Sequence, residues 1–178
     1  MSRNSLRLRL ILAGAVAIVL ALGLSTIGLS LLFARHVERV AVDDLQSRAM
    51  ALASMVEISP GAPPRLVDPP SDPLFRQPFS GHYWQVSLGD ETRRSRSLWD
   101  YQLPAPKDLA APGQTRALSM PGPQGEPLLV VEQGLQVSHD GNRIPVRILV
   151  ATDREALDLA QRGFLRDLLP FLAILGGL

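Results

Sequence analysis

Three arginines lie close together in the chain, with a tryptophan on either side of them. Arg93, Arg94 and Arg96 follow Trp84 and precede Trp99. A guanidinium donates two parallel hydrogen bonds to a carboxylate or phosphate, so such a cluster is suited to hold an anionic ligand. The candidate ligand-binding residues are therefore Trp84, Arg94, Arg96 and Trp99. A solvated strand edge, on which arginine opposes aggregation, explains the same cluster equally well.

The other ionisable residues do not form a recognisable catalytic or transition-metal site. No pair of histidines has ligand spacing with a carboxylate, so we expect no transition-metal ion. Acidic pairs such as Asp43-Asp44 and Asp90-Glu91 offer oxygen ligands for a divalent cation. They are dispersed along the chain, which favours solvated surface charge. No nucleophile–base pair or phosphate-binding loop stands out, so the sequence predicts no catalytic residue.

The charge of the chain is close to neutral but unevenly distributed. The net charge is +1, so the whole-chain charge does not indicate a nucleic-acid partner. Arg3, Arg7 and Arg9 precede the first apolar run without any acidic residue among them. A short basic segment of this kind is typical of a membrane-topology signal. The chain has no cysteine, which excludes disulfides and thiolate metal sites.

The segment Leu10–Phe33 contains no charged side chain. As a helix that rises about 1.5 Å per residue, it extends roughly 36 Å, enough to cross a bilayer. A cleaved signal peptide is the alternative, but the apolar run exceeds the usual length of about 7–15 residues. We therefore predict a cytoplasmic segment at residues 1–9 and a transmembrane helix at residues 10–33. The following residues then emerge on the periplasmic side of the inner membrane.

A second apolar run occupies residues 168–178. It contains about half of the residues that a membrane crossing needs. We interpret it as the start of a second transmembrane helix in a truncated sequence; a terminal amphipathic or buried helix is the alternative. On this interpretation residues 34–167 form a periplasmic domain between two membrane helices.

Helical patterns are expected at both ends of this domain. Apolar residues recur every three to four positions in Arg35–Val56, which predicts a helix that continues the membrane helix. Seven prolines in Pro60–Pro78 predict a surface loop. Thr152 and Glu155 have the spacing of a capping box and predict an exit helix over residues 153–167.

Strand patterns fill the middle of the domain. Alternating apolar residues and turn sequences predict five strands, at His82–Leu88, Thr92–Trp99, Arg116–Met120, Leu128–Val137 and Ile144–Val150. Tight turns join them as two strands and then three, which favours antiparallel pairing. Gly134 inside its strand suggests a bulge. The predicted fold class is α+β, with a five-stranded antiparallel sheet between a long N-terminal helix and a C-terminal exit helix, flanked by transmembrane helices.

Three strings of the chain carry a family resemblance. They are SGHYWQV at residues 80–86, RSRSLWD at residues 94–100 and VATDRE at residues 150–155. These strings and the order of elements resemble the N-terminal part of Gram-negative, alphaproteobacterial two-component sensor histidine kinases. The resemblance implies a PAS-like extracytoplasmic sensor domain, a homodimer contacting membrane lipid, and an unknown periplasmic ligand or protein as the stimulus.

The catalytic chemistry of such kinases belongs to parts that this sequence lacks. The resemblance implies ATP and Mg²⁺ as cofactors only of a missing kinase core, which would also contact the response regulator. His139 lies in a string that superficially resembles a phosphoacceptor box, but Arg143 and Pro145 are displaced by one position. Its Asp-Gly-Asn neighbours favour a surface turn.

Two other functional classes remain open at this point. One is a membrane-tethered interaction domain of the cell envelope without signalling. The other is the input domain of a chemoreceptor or cyclase, which shares the same N-terminal organisation.

Overall fold

The structure is a computed structural model that describes residues 3–59, 62–139, 141–155 and 157–159, together with residues 163, 166 and 170. The chain divides into two compact units. One comprises Met1–Glu38 and Leu157–Leu178, and the other comprises Arg39–Ala156. The sheet and the predicted site residues all belong to the second unit.

The first element, α1, is one continuous helix over Arg3–Ser54. It joins the predicted membrane segment and the predicted Arg35–Val56 helix without interruption. Within the described part of the chain it alone is long and apolar enough to cross a membrane, with a mean hydropathy of 2.5 in its most apolar window. The hydroxyls of Thr26 and Ser30 each donate to the carbonyl four residues earlier, at 2.7 Å, so the apolar stretch leaves neither hydroxyl without a partner.

The central sheet has five antiparallel strands, as predicted. In chain order the strands of the molecule are β1 Val56–Ser59, β2 Ala62–Leu66, β3 His82–Leu88, β4 Glu91–Arg94, β5 Thr115–Pro121, β6 Pro127–His139 and β7 Asn142–Asp153. The order across the five-stranded sheet is β4-β3-β7-β6-β5. The last strand of the chain, β7, therefore lies at the centre of the sheet, between β3 and β6.

The proline-rich segment contains a hairpin that the sequence did not predict. β1 and β2 pair antiparallel as a separate two-stranded sheet, with Val56 opposite Leu66. β2 contains Pro63 and Pro64, which lack the N–H that a central strand requires. Because β2 has a neighbour on one side only, the ladder tolerates these two prolines.

Both faces of the central sheet are covered. The loop face carries Tyr83 and Leu149, which pack with Leu98 and Leu103 of the segment that connects β4 to β5. The opposite face carries Trp84, Val86 and Ile148, all buried. α1 carries a buried stripe of its own, which consists of Leu45, Ala49 and Leu52. The connecting segment thus covers one face of the sheet, and the central residues of the other face are buried as well.

A charged cluster lies on the loop face. Glu132 of β6 is fully buried, and Arg116 of β5 donates to its carboxylate. Arg147 of β7 has its Nε 3.0 Å from the same carboxylate, without the alignment of a hydrogen bond. The backbone N–H of Ala110 donates to it at 3.4 Å. The carboxylate therefore lies beside two guanidiniums from neighbouring strands and accepts a backbone N–H from the connecting segment, which offsets part of its desolvation.

Gly134 marks a close backbone approach, and the predicted bulge at this position is wrong. The register of β6 with β7 is continuous through Gly134, which lies opposite Arg147. A Cβ at this position would overlap the carbonyl oxygen of Ala110. Only glycine allows the connecting segment to lie this close to the strand.

The exit helix begins one residue later than the capping box implied. Thr152 and Asp153 still belong to β7, and the Asp153 carboxylate accepts from the Glu155 N–H at 2.8 Å. Residues 154, 155, 157–159, 163 and 166 are helical. The predicted second membrane segment at residues 168–178 lies outside the described residues, apart from residue 170.

Candidate functional site

Three of the four predicted ligand-binding residues line a single cleft. Trp84, Arg94 and Arg96 border a cavity of about 300 Å³ at the β4 edge of the sheet. Trp84 forms part of the buried core, with 5% of its surface exposed, whereas both arginines are exposed. Their role in ligand binding stays a prediction.

The fourth predicted residue, Trp99, does not border this cleft. Its side chain is 64% exposed, and its backbone has a φ of 57°, in the left-handed region that bulky residues rarely adopt. The cleft residues and Trp99 are near in sequence, but a turn at Leu98 separates them in space.

The turn arises because β4 ends at Arg94, so the predicted strand Thr92–Trp99 is wrong in its second half. The Ser95 N–H donates to the Trp84 carbonyl at 2.9 Å, and the Ser95 hydroxyl accepts from the Trp84 N–H at 3.1 Å. The Ser97 hydroxyl donates to the His82 carbonyl at 2.6 Å. A 3₁₀ helix over Arg96–Leu98 follows. Serine hydroxyls thus replace strand pairing at this edge and hold the arginines in place.

Other cleft residues come from the predicted loop Pro60–Pro78 and from β4. Apolar walls are contributed by Leu66 of β2 and by Pro69, Pro70 and Phe75. Arg76 and Arg93 add two further guanidinium-bearing side chains to the lining. The adjacent aromatic and basic residues Phe75 and Arg76 are the sequence signal for this part of the cleft. The surrounding prolines give no periodicity from which the path of the segment could be predicted.

The charge of the cleft is unbalanced. Arg93 pairs with Glu91, whose carboxylate lies 2.7 Å from its Nε. Within the described part of the chain, Arg76, Arg94 and Arg96 have no acidic partner, and no acidic side chain lines the cavity. The cleft therefore has an excess of positive charge.

The indole of Trp84 has an unsatisfied donor. Its Nε1 is buried and has no hydrogen-bond acceptor. Tryptophan usually finds a partner for this N–H when it is buried. A buried donor without an acceptor costs free energy, so an acceptor that reached it would stabilise the site.

The wall of the cleft is connected to α1 by an ion pair. Arg48 of α1 lies 3.2 Å from the carboxylate of Asp72, and its guanidinium is 5.8 Å from the ring centroid of Phe75. The Asp72 carboxylate also accepts from the Leu74 N–H at 2.9 Å and caps the 3₁₀ helix Pro73–Phe75. This hydrogen bond, together with Arg48, holds the pKa of Asp72 below its ordinary value.

His82 lies beside the same ion pair. Burial lowers the pKa of His82, and the positive charge of Arg48 lowers it further. The carboxylates of Asp72, Asp44 and Asp153 act in the opposite direction. The imidazole therefore favours its neutral form at a point where α1, the 3₁₀ cap and the end of β7 meet.

His139 was predicted to lie in a surface turn; it is the last residue of β6 and pairs with Asn142 across the hairpin, next to that turn. Among the described residues, no three histidine or carboxylate side chains lie close enough together to hold a metal ion. The candidate site is therefore the basic cleft and its connection to α1.

Comparison with known proteins supports a sensor. The chain is 34% identical over 116 residues to the sensor protein kinase CarS of Pseudomonas aeruginosa PAO1. The similarity supports a sensor histidine kinase input region. The match covers 65% of this chain but 25% of CarS, so the chain spans about a quarter of that relative's length. No family model and no solved structure matches the chain. The alphaproteobacterial origin expected from the resemblance stays a prediction.

Proposed function

We propose that the chain is the signal-input portion of a membrane-bound two-component histidine kinase. The similarity to CarS over 116 residues carries this proposal. The continuity of α1 supports it, because one helix contains both the apolar segment and the buried stripe Leu45, Ala49 and Leu52. A sensor needs such a connection between its folded domain and its membrane anchor.

The proposed topology follows from charge and length. Residues 1–9 lie in the cytoplasm, residues 10–33 cross the inner membrane, and residues 34–167 form a PAS-like periplasmic domain. Residues 168–178 begin a second crossing. The basic residues before the apolar segment support this orientation because cytoplasmic flanks carry an excess of arginine and lysine.

The proposed relay begins at the cleft and passes through the Arg48–Asp72 ion pair. Phe75 borders the cleft and lies beneath the Arg48 guanidinium. A stimulus that displaces the 3₁₀ helix Pro73–Phe75 would change both contacts of Arg48 and so move α1. Helix shifts of about 1–2 Å are sufficient for switching.

The signalling unit is a homodimer in contact with membrane lipid, and its stimulus is a periplasmic ligand or protein. ATP and Mg²⁺ would bind only the kinase core, which also contacts the response regulator. The resemblance assigns no cofactor to the input portion itself.

A fusion protein tests this function. The chain, continued by a complete second membrane helix, is joined to a kinase core whose output is measured through a reporter gene. We expect Arg48→Gln to change the output, because it breaks the contact with Asp72. Arg39→Gln is the matched control, since Arg39 lies exposed on the same helix and makes no ion pair within the described residues.

Output that responds neither to Arg48→Gln nor to substitutions across Trp84–Trp99 would contradict the proposal. Such a result would favour a membrane-tethered interaction domain of the cell envelope. Long heptad repeats in the protein encoded downstream would instead favour a chemoreceptor.

A further inference from the structure

We infer that the basic cleft binds a small organic anion, a carboxylate with an apolar body, through Arg76, Arg94 and Arg96. This inference rests on the proposed function, because it names the chemical class of the stimulus.

The first argument is charge. All three arginines border the cavity without an acidic partner among the described residues. Two other arginines of the same domain do have such partners: Arg65 lies 3.0 Å from Glu57, and Arg48 lies 2.8 Å from Asp44. Guanidinium groups collected around a cavity repel one another, and an anion relieves this repulsion with charge-assisted hydrogen bonds.

The second argument is the apolar character of the walls. Phe75 and Trp84 are buried core residues, and Leu66, Pro69 and Pro70 complete the lining. A bare inorganic ion would leave these surfaces without a partner, whereas a hydrocarbon body covers them. The volume of about 300 Å³ is at the small end of ligand pockets and is suited to a small molecule.

The third argument is the indole N–H of Trp84. It has no acceptor and is closed to solvent in this conformation. A carboxylate oxygen reaches it only after the side chains over it move. The anion then binds the rearranged conformation more tightly than the present one, and such a difference in affinity is what allows a ligand to shift a conformational equilibrium.

The fourth argument is the position of Arg76. Its backbone N–H donates to the Pro73 carbonyl and closes the 3₁₀ helix whose cap, Asp72, pairs with Arg48. An anion held by Arg76 therefore acts directly on the segment that contacts α1. The 3₁₀ helix Pro73–Phe75 therefore takes part both in anion binding and in the proposed relay of the signal to α1.

Tryptophan fluorescence tests the inference in the whole chain. The protein has two tryptophans, and Trp99 is outside the cleft. In Trp99→Phe, purified in dodecyl maltoside micelles, emission therefore reports on Trp84 alone. The probes are hexanoate and adipate, which carry one and two carboxylates on a hydrocarbon chain. Hexanamide and inorganic phosphate serve as comparisons.

We expect a saturable change in emission with at least one carboxylate, and none with hexanamide. In the same background, Arg94→Gln and Arg96→Gln should each weaken the affinity about tenfold, the effect of losing one charge-assisted contact. Arg143→Gln should leave the affinity unchanged, because Arg143 is exposed at the start of β7 and does not border this cleft. Thermal melting without ligand verifies that each variant is folded.

Three results would overturn the inference: no saturation by either carboxylate, an equal response to inorganic phosphate, or an equal loss in Arg143→Gln. The assay requires no kinase, so its failure is separate from failure of the fusion experiment. Saturable binding together with an unresponsive fusion would contradict the sensor function and support the anion site. A responsive fusion without binding would support the sensor function and contradict the anion site.

Discussion

Two groups of arginines in the same domain have opposite surroundings. Arg116 and Arg147 face the buried carboxylate of Glu132 on the loop face. Arg94 and Arg96 border the cleft at the β4 edge, which no carboxylate of the described residues lines. The first group compensates a buried charge, whereas the second retains its hydrogen-bonding capacity.

The difference shows how arginines that stabilise the fold can be distinguished from arginines that are available to bind a ligand. Glu132 contacts arginines of β5 and β7 and the backbone of the connecting segment, so removing its charge disturbs three elements at once. The cleft arginines contribute little to folding because water solvates them, and surface charges usually have small effects on stability. Four predictions test this difference between the two groups of arginines and their surroundings.

The largest effect is expected for Glu132→Gln. The substitution leaves two guanidiniums beside a neutral amide, and breaking a buried ion pair by removing one partner costs about 3 kcal/mol of unfolding free energy. Urea denaturation of the purified chain measures it. In the control Glu57→Gln, from the exposed pair with Arg65, the loss should stay below about 0.5 kcal/mol. Equal losses in both variants would contradict a structural role for the buried cluster.

The next effect concerns the segment that covers this cluster. Gly134→Ala places a methyl group against the Ala110 carbonyl and forces the backbone to move, at a cost of about 2 kcal/mol. A lower melting temperature would report it. Gly23→Ala is the matched control, because a Cβ at Gly23 meets no atom within 4 Å. The close-approach argument fails if the two variants melt alike.

Substitution of the cleft arginines should have little effect on folding. The double variant Arg94→Gln/Arg96→Gln is expected to keep the free energy of unfolding within about 0.5 kcal/mol of the parent. Arg147→Gln, which removes one guanidinium beside Glu132, should cost about 2 kcal/mol. Denaturation curves of the two proteins compare the groups directly. A larger loss in the cleft variant would assign its arginines a structural role.

The smallest effect is a dependence of stability on pH. Because the pKa of His82 is lowered in the folded domain, the unfolded chain binds a proton first as the pH falls below about 6.5. The free energy of unfolding therefore keeps its full value above that pH and decreases as the pH falls below it. Melting temperatures between about pH 7.5 and pH 5.5 should therefore fall less in His82→Gln than in the parent. Parallel curves would exclude His82 as the titrating group.

Much of the fold was predictable because its signals are local. Alternation in His82–Leu88 and in the strands around Gly134 indicated strands, and turn sequences indicated their antiparallel order. The β1–β2 hairpin escaped prediction because its prolines argue against a strand with two neighbours, and β2 has one. The end of β4 escaped because Arg94-Ser95-Arg96-Ser97 alternates like a strand, while its serines bond to β3 instead.

The candidate site was predictable only in part. Trp84, Arg94 and Arg96 were chosen for their chemistry, and the fold brings them to one cavity. Trp99 was chosen for its nearness in sequence, and the turn after Leu98 places it outside. Arg76 is absent from the predicted ligand-binding residues. Its approach to the cleft depends on the path of the proline-rich segment, which the sequence does not reveal.

The sequence by itself determined the types of the elements, the apolar character of the N-terminal helix and the concentration of arginine near Trp84. These properties depend on neighbouring residues and on periodicity. The tertiary structure decided which arginines have an acidic partner, because Glu132 and Arg147 come from different strands and meet only through sheet pairing. It also decided that Arg76 joins Arg94, since long-range packing brings separate segments to the same cavity.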